Sequence, residues 1–180
     1  MIILRMTFVF GYGSLINPKS IQRTIGREIG KQYLLKARLS DHVRKWQLVD
    51  WVIYNDLKGK RIIPAIFLDI VKEQGKEVNG ILFELSEKEL DEMDRRERNY
   101  NRIDVSNLIE PKVGDLVYTY VGKKEYTVPP QESVVLAWYE RLVEEGLSFW
   151  GKAFRQHYYE STYVHSFPRK DGKCAFIRIK

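Results

Sequence analysis

Thr7-Phe8-Val9-Phe10-Gly11-Tyr12-Gly13-Ser14-Leu15-Ile16-Asn17-Pro18 changes conformation within a few residues. The first four are β-branched or aromatic, the composition of a strand. Two glycines then interrupt regular structure, and Asn17-Pro18 supplies an N-cap residue followed by proline at the first helical position. A strand therefore opens through a glycine-rich turn into a helix N-terminus. Such a turn exposes successive backbone N–H groups, whose partial positive charge can hold a carboxylate or a phosphate. Two nucleotide readings fail on the residues. A dinucleotide fingerprint needs glycine or alanine where Ile16 stands, and a phosphate loop needs a Gly-Lys-Ser/Thr sequence that is absent. The turn stays open to a plainer account, in which Gly11 and Gly13 only permit a tight bend and Ser14 bonds its own backbone.

Outward from this stretch, the first helix is expected to stop near Gly26. Alternating or β-branched segments predict strands over residues 7–10, 43–54, 61–71, 79–85, 102–109 and 115–121. The turn-forming run Asn55-Asp56-Leu57-Lys58-Gly59-Lys60 predicts a hairpin. A second helix begins at Ser86-Glu87-Lys88-Glu89, which fits a capping box, and directs Leu90 and Met93 to the core. A third helix is expected over 132–145, with Val134, Val135, Trp138 and Leu142 on one core stripe and its end before Gly146. Strands not regularly separated by helices argue against a doubly wound parallel sheet and for an α+β fold.

The chain has 180 residues, 44% of them hydrophobic, which supports one core and one domain, with a helical, aromatic extension from about residue 130. No apolar run approaches the roughly 20 residues of a membrane-spanning helix. Arg5 splits the apolar start of the chain and no small-residue cleavage site follows it, so residues 1–10 do not read as a secretory leader. Cys174 is the only cysteine, which excludes an intrachain disulfide and points to a reducing compartment, the cytoplasm. The net charge is +6, but the 30 basic residues are interspersed with 24 acidic ones. That pattern is a solvated surface, and neither nucleic-acid nor membrane partners are expected. His42, His157 and His165 show no metal-ligand spacing, and neither His42 nor His157 has a partner that would orient it to activate Ser14 as a nucleophile.

Glu97 lies in Met93-Asp94-Arg95-Arg96-Glu97-Arg98-Asn99-Tyr100, where the second helix should give way to a strand. By itself it is one acid in a charged run, with Arg95 and Arg96 as counterions and Asp94 one turn from Arg98. Taken with the earlier turn it gains weight. Phe10-Gly11-Tyr12-Gly13-Ser14-Leu15, then Val78-Asn79-Gly80-Ile81-Leu82-Phe83-Glu84-Leu85 with its Ser-led helix, then Met93 to Glu97, then Val117-Tyr118-Thr119-Tyr120-Val121, resemble in order the gamma-glutamylcyclotransferase-like family, including its ChaC-type and AIG2-like members. The resemblance covers residues 7–121. Met93 replaces the usual leucine, Arg98 stands where many members have glycine, and residues 148–180 do not align.

The resemblance implies a mixed sheet closed into a small β-barrel flanked by helices. It also implies release of a γ-glutamyl group as 5-oxoproline from a small γ-glutamyl substrate. The substrate's own α-amine attacks its γ-carbonyl, so the enzyme must hold the bent conformer and move protons, with no metal or cofactor. Glu97 would be the acid/base, and Tyr12, Gly13, Ser14, Leu15, Tyr100 and Tyr120 would bind substrate. Burial behind the tyrosines would raise the proton affinity of Glu97, and Arg95 or Arg96 would lower it. The leaving amine and the oligomeric state are not legible. Two alternatives stand: a related γ-glutamyl transfer or deblocking enzyme, and a catalytically silent module binding a partner through Trp150, Phe154, Tyr158 and Tyr159. Glu97 placed away from the turn would favour the silent module.

Overall fold

A computed structural model describes residues 7–177. The question of a leader concerns residues 1–6 in part, which lie outside the described residues, as do 178–180 at the end of the tail. Strand β1 (Thr7–Gly11) is followed by a 3-10 turn (Ser14–Ile16) and α1 (Pro18–Ile25). Two long strands, β2 (Leu34–Asp56) and β3 (Gly59–Leu85), precede α2 (Glu87–Arg96). Then come β4 (Tyr100–Asp104), β5 (Ile109–Glu110), β6 (Leu116–Gly122) and β7 (Val134–Leu136). Helices α3 (Ala137–Trp150) and α4 (Lys152–Glu160) and short strands β8 (Arg169–Lys170) and β9 (Lys173–Phe176) complete the chain.

The architecture is α+β, with a mixed sheet ordered β4-β6-β1-β3-β2-β5 and helices packed against it. β1 sits between β3, antiparallel, and β6, parallel, so the turn that follows it emerges at the middle of the sheet. β7 joins β3, and β9 joins the far end of β2.

The predicted hairpin at Asn55 to Lys60 is present, but the strands on either side are longer than their apolar patterns. Residues 61–71 and 79–85 belong to one strand, because Lys72, Gln74, Gly75 and Lys76 are solvent-facing and leave no alternation to read. β-bulges between Ser40 and His42 and between Trp46 and Leu48 shift the β2–β3 register. Bulges bend strands and re-aim side chains. The second one leaves Gln47 donating to the buried Asp69 at 2.8 Å.

Three expectations are corrected in detail. The segment 102–109 is not one strand: Asp104 accepts from the backbone of Ser106 at 2.9 Å, an Asx-type turn that ends β4. Val134 and Val135 are strand residues paired with Ala65 and Ile66, as β-branched side chains favour, so the third helix starts at Ala137. It also runs through Gly146. A Cβ there would lie 2.9 Å from the backbone nitrogen of Asn17, so glycine is what lets α3 press on the turn after β1.

One cluster of buried apolar side chains joins Phe8 and Phe10 of β1, Ile81 and Phe83 of β3, Met93 of α2, Leu147 and Trp150 of α3, and Phe154 and Tyr158 of α4. Trp150 also donates its indole N–H to the carbonyl of Ile16 at 2.7 Å. Three of the four tail aromatics therefore pack inward, and only Tyr159, 49% exposed, remains for a partner. Among the described residues no helix is long and apolar enough to cross a membrane.

Candidate functional site

The loop after β1 is held from three sides. Ile16 and Asn17 close the 3-10 turn by donating to the carbonyls of Gly13 and Ser14, both at 3.1 Å. The turn itself consumes neither the Ser14 nor the Leu15 N–H, the usual state of first-turn amides. Asn17 then caps α1 by accepting from Lys19 N at 3.0 Å, and its amide donates to the Leu142 carbonyl at 2.9 Å. Beneath the loop lies Arg44, fully buried. Its Nε donates to the Tyr12 carbonyl at 2.9 Å and its Nη1 to Tyr158 O, Ser161 Oγ and Thr162 Oγ1 at 3.1, 3.1 and 2.9 Å. Its Nη2 donates to the backbone and side-chain oxygens of Asn79. None of these partners is a carboxylate. Burial pulls its pKa down to about 10, which leaves it charged at neutral pH.

α2 delivers the glutamate. Ser86 and Glu89 form the expected capping box, and Met93 is fully buried. Residues four apart share a helix face, so Glu97 follows Met93 inward. There the helix ends. Glu97 donates its N–H to Met93 O at 2.9 Å, accepts from Tyr100 N at 2.8 Å, and leaves helical geometry at ψ 36°. Its side chain is 13% exposed and lies 3.2 Å from Arg96 Nε. Arg96 also donates to Ser14 Oγ at 2.8 Å and to Thr24 Oγ1 at 2.8 Å, so one guanidinium ties the loop and α1 to the glutamate. Burial raises the Glu97 carboxyl above its ordinary pKa, and the Arg96 charge opposes this only in part. Arg95 pairs instead with Glu92, and Asp94 with Arg102 rather than with Arg98.

The loop and Glu97 meet at one small hollow. Tyr12, Gly13, Ser14, Leu15, Glu97, Tyr100 and Tyr120 all line it, within about 30 Å³. Each predicted site residue is therefore at the same place. The ring hydroxyls are engaged elsewhere: Tyr12 donates to Tyr120 O at 2.6 Å, Tyr100 to Leu68 O at 2.7 Å and Tyr120 to Asp94 Oδ1 at 2.7 Å. Burial raises all three phenols well above their ordinary pKa, so they are neutral walls and not bases. Glu97 is the acid/base candidate in the hollow.

Sequence reasoning missed Tyr139, Arg44 and the second hollow. Tyr139, on α3, lines the niche with its hydroxyl against the main chain of Leu68 and Ser14, and burial pushes its pKa up to about 12. A Cβ on Gly13 would sit 3.1 Å from that hydroxyl, so any side chain there would press on Tyr139. Only its place one helical turn from Val143 marked Tyr139, and that signal reads as core. A larger hollow of about 450 Å³ shares Ser14, Glu97, Tyr100 and Tyr139 with the niche. Trp138 and Leu142, expected in the core, both line it; Trp138 packs only partly buried against the core cluster, because the buried face of α3 is carried by Tyr139, Val143, Leu147 and Trp150.

Residues 9–141 match the family of gamma-glutamyl cyclotransferase, AIG2-like proteins. Among solved structures, the chain is similar to a gamma-glutamyl cyclotransferase at 16% identity and TM-score 0.59, covering 93% of this chain and 94% of that one. It is also similar to an uncharacterized protein from Homo sapiens at 16% identity and TM-score 0.58, covering 94% and 95%. YkqA from Bacillus subtilis, at 18% identity and TM-score 0.54, matches over 92% of this chain and 56% of its own. A search of curated protein sequences finds no match. Identities this low speak for the fold alone, and the match over 9–141 decides the family: the chain belongs to the gamma-glutamyl cyclotransferase, AIG2-like family.

Proposed function

We propose that the protein is a gamma-glutamyl cyclotransferase that converts a small γ-glutamyl compound to 5-oxoproline and a free amine, with Glu97 as its acid/base. One observation carries this reading: a buried glutamate with a raised pKa shares a hollow with Gly13, Ser14 and Leu15 of the turn after β1. About 30 Å³ is room for about two waters, enough for the two oxygens of a carboxylate. The substrate's α-carboxylate would enter there against the Ser14 and Leu15 amides, with Arg96 adding positive charge through Ser14. Its ammonium would then lie next to Glu97.

Glu97 takes a proton from the ammonium, and the freed amine attacks the γ-carbonyl carbon. As the tetrahedral centre collapses, the bond to the leaving nitrogen breaks and Glu97 returns a proton to that nitrogen. Overall the attacking nitrogen gives up two protons and the leaving nitrogen gains two, which yields a neutral lactam and an ammonium. Neutral tyrosine walls keep water from competing for the carbonyl.

The test is a panel of γ-glutamyl compounds incubated with purified protein, with products read by mass. 5-Oxoproline is the expected product. Release of free glutamate would replace cyclisation by a hydrolytic or transfer reaction on the same scaffold, and no reaction with any compound would remove the enzyme reading.

A further inference from the structure

We infer that the amine expelled from the substrate carries an aromatic ring and a carboxylate, so that γ-glutamyl derivatives of aromatic amino acids are preferred; this rests on the cyclotransferase reading above. The niche accommodates only the acid end of the glutamyl unit. Whatever is attached to the γ-carbonyl must extend past Glu97, Tyr100 and Tyr139 into the larger hollow that shares them.

That hollow has an aromatic wall. Phe67 and Trp138 lie 6.4 Å apart, Phe67 and Phe176 5.7 Å, and Trp138 and Phe176 6.2 Å, with the last pair edge to face. Tyr139 closes the cluster at 4.9 Å from Phe67. The Trp138 indole N–H is already spent on Cys174 Sγ at 2.6 Å, so the ring offers a ligand its surface and not a hydrogen bond. Phe176 is 47% exposed although it is a large apolar side chain, and a ring laid on it would remove that surface from water. It comes from β9, beyond residue 141 where the family match stops, so the tail completes a wall whose other members, Phe67, Trp138 and Tyr139, lie inside the matched stretch.

The rim is basic. Arg23, Arg95, Arg96 and Arg98 line the hollow against Asp50 and Glu97. Arg96 faces Glu97, Arg98 faces Asp50 at 3.2 Å, and Arg95 is taken by Glu92. Arg23 has no acidic partner among the described residues, and it is the cation available to a ligand carboxylate.

The experiment compares kcat/KM for γ-glutamyl-phenylalanine, γ-glutamyl-alanine and γ-glutamyl-phenethylamide. The ring should favour phenylalanine over alanine about 10-fold. The exposed Arg23 contact should favour phenylalanine over phenethylamide about 3-fold. Phe176→Ala, at an exposed strand end, and Trp138→Ala should each reduce the phenylalanine-to-alanine ratio to about 2-fold, and Arg23→Gln should erase the preference over phenethylamide. Binding of the same three compounds to Glu97→Gln protein, by calorimetry, should rank them identically without turnover. A flat or inverted ranking among compounds that react or bind, or ratios untouched by Phe176→Ala, overturns this inference and leaves the cyclotransferase reading standing. Binding in that order without 5-oxoproline from the unmodified protein supports the subsite and sinks the reaction.

Discussion

Asp69 and Glu97 are both buried carboxylates near the same hollow, and their surroundings treat them in opposite ways. Asp69, 1% exposed, has its lone pairs filled: Ile70 N and Gly122 N donate to Oδ1 and the Gln47 amide to Oδ2, all at 2.8 Å. Glu97 has the Arg96 guanidinium at 3.2 Å and otherwise faces the hollow. Burial raises the pKa of each, and at Asp69 hydrogen-bond donors, Gly122 and Gln47 first, pull back. A carboxylate whose acceptors are occupied ties strands together: here Asp69 joins the end of β3's first buried stretch to the end of β6. One whose acceptors are open can take a proton from something else. Arg44 repeats the first pattern with the opposite sign, since it is surrounded by oxygens and has no free donor facing a cavity. Saturation, and not burial, separates the ion that holds the fold from the ion left open to exchange a proton.

Exchanging the two roles by mutation tests that distinction. Glu97→Gln keeps shape and removes the proton carrier, and should lower kcat for 5-oxoproline release about 1,000-fold while the thermal midpoint moves by about 3 °C or less. Activity near the unmodified level would remove Glu97 from the reaction. Arg44→Met has the opposite profile. It strands the carbonyls of Tyr12, Tyr158 and Asn79, at about 1 kcal/mol each, which for a chain of this size lowers the melting temperature by roughly 6–12 °C. Calorimetry measures it, and an unchanged midpoint would mean that the buried guanidinium is not a structural tie. Asp69→Asn should cost less, about 1 kcal/mol, since asparagine still accepts from Ile70 and Gly122. Its kcat should stay within about 3-fold of the original, and a collapse in turnover at full stability would place Asp69 in the chemistry.

The sequence made one of these ions visible and hid the others. Glu97 follows a capping box and two inward-facing residues by whole helical turns, so its direction could be read from Ser86 onward, and the two glycines of the turn marked the loop. Asp69 and Arg44 sit in long strands at positions where alternation asks for an apolar residue. Apart from the neighbouring Ile70 N–H at Asp69, their solvation comes from residues more than 20 positions away, from Gln47 and Gly122 in one case and from Ser161 and Thr162 among others in the other. No local pattern records such a contact. The same holds for α3, whose start was mistaken because Val134 and Val135 fit a helical stripe as well as a strand, and only the presence of β3 alongside decides between them.

The smallest effect is also the most direct measure of how open Glu97 is. Its folded pKa is raised, so the folded state holds the proton more tightly than the unfolded state does. Its contribution to stability is therefore complete below the ordinary glutamate range and is lost as pH rises through the raised value. Asp69 contributes a slope of the same sign, but that slope is common to the unmodified protein and to Glu97→Gln. The difference between their urea midpoints cancels Asp69 and isolates Glu97. Moving from pH 4 to pH 7, Glu97→Gln should gain stability relative to the unmodified protein, with the change centred above the usual carboxylate pKa. The acidic limb of kcat/KM should fall at the same pH, because it reports the same group in the free enzyme. Parallel stability curves would mean an unperturbed glutamate. A difference of opposite sign would mean that Arg96 outweighs burial, and Glu97 would then be an ion held by its partner and no longer free to carry a proton.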